Sequence, residues 1–294
     1  MPEQLRHAIL GAGGVGGLMG ACLARGGAPV TMVVRQDSLA GYPENIQLES
    51  PFGNFSAPVS RSATVPAADV LWIAVKATQL EAALSAFAKP ESAKTIVPLL
   101  NGIDHLSLLR ARYGAQRVIA ATIAVETERV GPGHIVHRSP FCRLNVSSAG
   151  RDLLGATLDG LQEIGFECRF VENEPTLMWS KIVFLAPIAL ATSAGATPVG
   201  GVMSDPALRG QWESCVREAC AVATAEGAKV DADAVIAGTS KMPGDMRSSM
   251  QKDVAQGNKP ELDAIAGPIV RGGRRHGIAT PATENLVAAV ESRR

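Results

Sequence analysis

Apolar residues recur with two different rhythms along the chain, and the change falls near Asn173. Before it, short β-rich runs alternate with small-residue or amphipathic stretches. The runs predict strands at 7–10, 30–35, 70–75, 95–100, 118–125 and 167–171. Helices are predicted between them at 15–25, 79–87 and 153–164. Residues 134–137 and 143–146 read as an antiparallel pair after the Gly131-Pro132-Gly133 turn. Strand–helix alternation of this kind implies a parallel sheet with helices on both faces. From Pro175 the β-rich runs vanish. The 205–226 pattern has Pro206 in its first turn and Gly227 past its end, which are start and stop signals. A second long pattern, 260–276, stops at Gly277, and Thr280-Pro281 opens a last short helix. The chain is expected to hold an α/β domain over 1–172 and an all-helical domain over 173–294.

Composition narrows the classes of function. Apolar residues make up 46% of the 294 and charged residues 19%, a globular balance. Lys plus Arg and Asp plus Glu stand at 28 each, without the basic excess that nucleic acid or a membrane surface demands. Aromatic residues, at 4%, are too few for base-stacking platforms. Cys22, Cys142, Cys168, Cys215 and Cys220 are odd in number and form no Cys-x-x-Cys pair, which points to free thiols in a reducing compartment. The uncharged run 182–203 is long enough for a membrane span. Its prolines (Pro187, Pro198), glycines and hydroxyl residues favour a buried helix followed by a loop. No apolar signal region opens the sequence. A soluble cytoplasmic protein is expected, with neither a nucleic-acid nor a membrane partner.

The strongest local motif is Gly11-Ala12-Gly13-Gly14-Val15-Gly16, directly after a strand and opening a helix. Gly11 permits the tight turn, Gly13 lets the backbone approach a pyrophosphate, and Gly16 lets helix pack on strand. The helix start adds unpaired N–H groups and the positive end of a dipole. This is the dinucleotide fingerprint, and it makes the first domain Rossmann-type. Arg35 selects the cofactor. An NAD site ends its second strand in a carboxylate for the ribose hydroxyl; here a guanidinium stands there, able to fork onto a 2′-phosphate. NADP(H) is therefore expected. Asp37, two positions late, is the residue that would rescue an NAD reading.

Further candidates are Lys76 and Asn101-Gly102, each at a strand end where open α/β sheets place ligands, and Lys181. Apolar sequence flanks Lys181 and would lower its pKa, which suits acid–base work. His134 and His137 lie three apart on a strand and point to opposite faces, so no metal site is expected. Cys215 and Cys220 read as core residues, and His276 as charge complementing a helix end. Met242, Met246 and Met250 read as helix packing with some cleft lining.

In order along the chain stand the Gly-rich loop, Val33-Val34-Arg35, Val75-Lys76-Ala77-Thr78-Gln79, Leu100-Asn101-Gly102, Trp179-Ser180-Lys181 and Ser248-Ser249-Met250, with Asp253 ahead of Glu261-Leu262-Asp263. This arrangement resembles the ketopantoate reductase family (2-dehydropantoate 2-reductases) over nearly the whole chain. The resemblance implies a Rossmann domain joined to a helical one, and NADPH-dependent reduction of a 2-keto acid in pantothenate biosynthesis. It makes Lys181 the proton donor to the ketone oxygen, and gives Glu261 a part in orienting it and contacting cofactor or substrate. Ser249 falls to the substrate carboxylate, and Ser248 is counted with it among the substrate contacts. Lys76 and Asn101 fall to the nicotinamide and ribose side, and Thr127 is counted among the cofactor contacts. Helical domains of such reductases often pair, which implies a homodimer.

The match departs from the family at Leu185, Ala189, Val199 and Met246, where polar side chains are usual. Losing buried hydrogen-bond partners changes which substrate binds well, so a larger or less polar 2-keto acid is a reading beside ketopantoate. Two others stay open: a nucleotide-binding sensor without turnover, and an NAD-linked dehydrogenase.

Overall fold

The chain of the computed structural model, which describes residues 4–87 and 89–293, forms two compact units. One runs to Leu100 and resumes from His105 to Glu172; the other takes Asn101–Asp104 and the chain from Asn173.

The first unit lays down β1 (His7–Leu10), α1 (Gly14–Arg25), β2 (Val30–Val33), β3 (Asn45–Glu49), β4 (Phe55–Pro58), β5 (Ser60–Ser62), β6 (Ala68–Ile73), α2 (Leu80–Ala83) and β7 (Ala93–Pro98). After the loop given to the other unit come α3 (His105–Tyr113), β8 (Ala121–Ala124), β9 (Thr127–Gly131), β10 (His134–His137), β11 (Arg143–Ser147), α4 (Arg151–Ile164) and β12 (Glu167–Val171). The largest sheet is all parallel, in the order β5-β2-β1-β6-β7. Its central strands are buried along their whole length, which is why β1 and β6 read as continuous apolar runs. Leu10 is in register with Val33 and with Ile73, so the ends of β1, β2 and β6 lie level. The order reverses between β1 and β6, the point where doubly wound sheets open a ligand crevice.

Two further sheets complete this unit, a mixed one in the order β4-β3-β10-β9 and a small one in the order β12-β11-β8. Helix α1 is buried from Gly16 to Leu23, with no polar face. It packs against the parallel sheet on one side and against β3 and β10 on another, and a side chain at Gly17 would strike Ile135 of β10. Inside the parallel sheet, the Trp72 indole donates to His7 Nδ1 at 3.1 Å. Burial pushes the His7 pKa down to about 4, so this histidine is neutral near pH 7.

The second unit is helical: α5 (Glu174–Gly195), α6 (Val199–Ser204), α7 (Pro206–Ala225), α8 (Ala232–Thr239), α9 (Ser249–Ala255), α10 (Leu262–His276) and α11 (Pro281–Glu291). Helix α5 starts on an Asn173 cap, whose side chain accepts the Thr176 N–H at 2.8 Å. It is long and apolar enough to cross a membrane by length and composition alone, but 78% of its most apolar window is buried inside the protein, as befits a core helix. Asp205 caps α7, and Glu218 of α7 accepts the Ala282 and Thr283 N–H groups at 2.8 Å each, fixing the start of α11.

Several expectations change. β10 and β11 do not pair with each other. The Gly131-Pro132-Gly133 turn joins β9 to β10, and β11 pairs with β8 and β12. β9 is a largely exposed edge strand, Thr-Glu-Arg-Val-Gly, with no apolar alternation to reveal it. The helix expected at 79–87 breaks into the short α2 flanked by 3₁₀ turns. The loop expected after the uncharged helix contains α6. Strands β3, β4 and β5 and helices α3 and α8 had no prediction. The five cysteines are free, and Cys215 and Cys220 are buried.

Candidate functional site

In the first unit the glycine-rich loop leaves β1 and enters α1. Gly11 has a φ of +109°, a conformation side chains resist, and a Cβ there would lie 2.7 Å from Val75 Cγ1. A side chain at Gly16 would run into the carbonyl oxygen of Gly11. Gly13 differs: a Cβ added to it meets nothing within 4 Å. This residue also stands at the N-cap of α1, where no side chain caps the helix and no acidic residue occupies the first turn. The first N–H groups of the helix have no carbonyl partner within it, and no side chain caps them. Ala12 and Val15 flank them, half-buried.

Thr127, at the start of β9, closes one side of this loop. Its carbonyl oxygen would lie 2.8 Å from a Cβ on Gly14, and its buried Oγ1 has no hydrogen-bond partner. An uncapped positive helix end, an open cradle over Gly13 and an orphaned hydroxyl beside it fit a dinucleotide pyrophosphate.

Arg35 lies two residues past β2, with its side chain 83% exposed, and its Nε is 3.8 Å from Asp37 Oδ1. Lys76 is exposed and opens the 3₁₀ turn after β6. Both sit beyond shorter strands than expected, at the level ends of β2 and β6. His134 and His137 part as expected: His137 is buried against Ser50, Ser139 and the Phe141 carbonyl, whereas His134 pairs with Glu49 at 2.6 Å.

The second unit gathers the remaining candidates. Lys181, on α5, is partly exposed among the buried Trp179, Ile182 and Val183. Burial drives its pKa down to about 8, and the charge of Glu261 opposes that fall. Glu261 is 7% exposed and stands just ahead of α10, whose positive end favours a carboxylate. Asn101 Nδ2 donates to Glu261 Oε2 at 3.0 Å. The loop Asn101–Asp104 lies close on α10: a side chain at Gly102 would meet the Ala264 carbonyl, and Asp104 pairs with Arg271, which also holds Asp263 at 2.6 Å. The sequence reading found Asn101 and Glu261 separately but not their bond.

The two serines of the motif divide. Ser248 is buried; its hydroxyl caps α9 by accepting the Gln251 N–H at 3.1 Å and lies 2.9 Å from Thr192 Oγ1. Ser249 is exposed in the first turn of α9. Thr192 was missed because no local motif marks it within the uncharged run 182–203. Of the four departures, Ala189 and Val199 are fully buried, and Leu185 and Met246 half-buried. The Val199 N–H donates to the Met246 carbonyl at 3.0 Å, so two of them are neighbours.

A parallel sheet of this order feeding an uncapped glycine-rich helix, together with a helical unit that holds a low-pKa lysine near a buried glutamate, defines a two-part oxidoreductase. The chain belongs to the ketopantoate reductase PanE/ApbA family: residues 7–149 match that family's model, and residues 175–294 match its C-terminal part. A 2-dehydropantoate 2-reductase of Caulobacter vibrioides is 32% identical over 97% of this chain and 98% of its own. A PanE/ApbA family ketopantoate reductase from Ralstonia eutropha JMP134 superposes with a TM-score of 0.87 at 29% identity, covering 98% of each chain. At 22% identity the fold is also that of a D-mandelate dehydrogenase solved with NADH and anilino(oxo)acetate, with a TM-score of 0.85 and 98% of each chain covered.

Proposed function

We propose that this protein reduces a 2-keto acid to the 2-hydroxy acid with NADPH, the substrate being 2-dehydropantoate, as in pantothenate biosynthesis, or a related keto acid. The observation that carries this reading is Lys181, a lysine with its pKa down to about 8 in the electrostatic reach of the buried Glu261. Bound NADPH would supply the hydride to the carbonyl carbon. The Lys181 ammonium hydrogen-bonds the carbonyl oxygen, stabilises negative charge as it develops there, and gives up its proton to complete the hydroxyl. Glu261 keeps Lys181 charged near neutral pH, and Asn101 fixes the carboxylate of Glu261. Ser249, exposed at the start of α9, takes the substrate carboxylate. Gly11 to Gly16 hold the pyrophosphate, Arg35 the 2′-phosphate, and Lys76, Asn101 and Thr127 the rest of the cofactor.

Leu185, Ala189, Val199 and Met246 favour a keto acid with a less polar side chain than ketopantoate. The free cysteines, whose thiol pKa values burial raises, suit a reducing compartment such as the cytoplasm. The test is NADPH consumption over a panel of 2-keto acids that includes ketopantoate. Turnover that Lys181→Ala abolishes, with NADPH binding kept, is the expected result. NADPH binding without turnover of any keto acid overturns this reading and leaves a sensor.

A further inference from the structure

Helix α9 has seven residues, too few to hold its own shape, so contacts outside it must fix where it begins. Its cap is Ser248, whose Oγ accepts the Gln251 N–H at 3.1 Å and lies 2.9 Å from Thr192 Oγ1 on α5. Both residues are buried, Thr192 completely. Thr192 Oγ1 donates to the Ile188 carbonyl at 2.7 Å, which uses its one proton. The bond between the two hydroxyls therefore runs from Ser248 to Thr192. The Ile188 carbonyl alone would satisfy a threonine donor within a helix. The bond from Ser248 is the one that ties α9 to α5.

Thr192 stands at i+11 from Lys181, with Leu185 and Ile188 at i+4 and i+7, so the four share one face of α5. The start of α9 is thus fastened on the face that carries the lysine. The segment leading into α9 is held a second time. The Gly200 N–H donates to the Gly244 carbonyl at 2.8 Å, and the Val199 N–H to the Met246 carbonyl at 3.0 Å. A Cβ on Gly200 would lie 2.9 Å from the Gly244 oxygen, so a side chain there would push the segment away. Ser249 comes directly after Ser248. It is exposed, and no hydrogen bond among the described residues holds its side chain. Its place is set through the backbone, by the residues just before it.

We infer that Thr192 is a positioning residue, which through Ser248 holds Ser249 where the substrate carboxylate binds. The inference rests on the role proposed above for Ser249.

The test is steady-state kinetics of the full-length protein with NADPH and the best keto acid of the panel. Thr192→Val keeps the volume and removes the hydroxyl. It should raise KM for the keto acid about tenfold, with kcat and KM for NADPH changed much less. Thr192→Ser keeps the hydroxyl and should restore KM. Ser249→Ala should raise KM by itself, and adding Thr192→Val to it should raise KM no further, because both remove one contact. A general loss of stability would not produce that non-additivity. Should Thr192→Val fail to fold, Gly200→Ala displaces the same segment and should give the same pattern, alone and with Ser249→Ala. A KM unmoved by these variants, or raised independently of Ser249→Ala, overturns the inference and leaves the role of Ser249 standing. Ser249→Ala with KM unchanged, or no turnover of any keto acid, refutes that role and the inference with it.

Discussion

Asn101 and Glu261 stand 160 positions apart in sequence, and the side-chain amide of the first donates to the carboxylate of the second at 3.0 Å. The bond fixes the one carboxylate whose charge raises the Lys181 pKa. Asn101→Ala should lower kcat about tenfold while changing KM for the keto acid less, because it loosens a positioning contact. Asn101→Asp should be worse, since it sets two carboxylates against each other. Steady-state kinetics on the two variants checks the order.

Lys181 makes a pH prediction with a definite sign. Its proton is the one delivered, so reduction should run level below about pH 8 and fall as pH rises through that value. Glu261→Gln removes the charge that holds the pKa up, and should move the fall to lower pH. Stability runs the other way. The pKa is lower in the fold, about 8 against 10.5, so the lysine's contribution is full above 10.5 and lost as pH falls through 8. Lys181→Met should therefore raise the Tm at pH 7 while abolishing turnover, and a melt beside an assay reads both.

The glycines of the loop should separate folding from binding. Gly16→Ala would drive a methyl group into the Gly11 carbonyl, so soluble yield or Tm should drop sharply. Gly13→Ala meets nothing within 4 Å, so the protein should fold normally and lose NADPH affinity about tenfold or more. Thermal melts and fluorescence titration of the two variants distinguish the roles.

Arg35 and Asp37 should set cofactor choice against each other. Arg35→Ala should raise KM for NADPH about tenfold and leave NADH nearly unchanged. Asp37→Ala releases the guanidinium from a carboxylate 3.8 Å away and should tighten NADPH a few-fold. NADPH kinetics unmoved by Arg35→Ala would favour an NAD-linked enzyme.

His7 should make the first unit sensitive to acid. Its pKa is about 4 in the fold against 6.5 unfolded, so its contribution is full above pH 6.5 and lost as pH falls through 4. The loss amounts to about 3 kcal/mol across that window. Urea melts at pH 7 and pH 4 should show it, and His7→Asn should flatten the difference.

Much of this was legible because parallel strands and core helices announce themselves. β1 and β6 are buried on both faces, so they appear as unbroken apolar runs; Pro206, Gly227 and Gly277 mark helix ends plainly. The edge strands did not show. β9 is mostly polar and exposed, so the hairpin turn at Gly131-Pro132-Gly133 was given to the wrong pair. The candidate residues were found one at a time, by strand ends and motif. Their grouping was not, because the Asn101–Glu261 bond and the Thr192–Ser248 contact join positions that no local pattern links. The separate fates of Ser248 and Ser249 follow from a cap that begins α9 between them.

The loop Asn101–Asp104 interrupts the first unit in sequence yet keeps company with α10. Its fit therefore depends on the second half of the chain. A chimera that takes residues 1–172 from one relative and the remainder from another would bring together an Asn101, Gly102 and Asp104 selected against one α10 with a different α10. Such hybrids should recover activity only when the four-residue loop is exchanged along with the helices, which makes those four codons the natural seam for recombining this family.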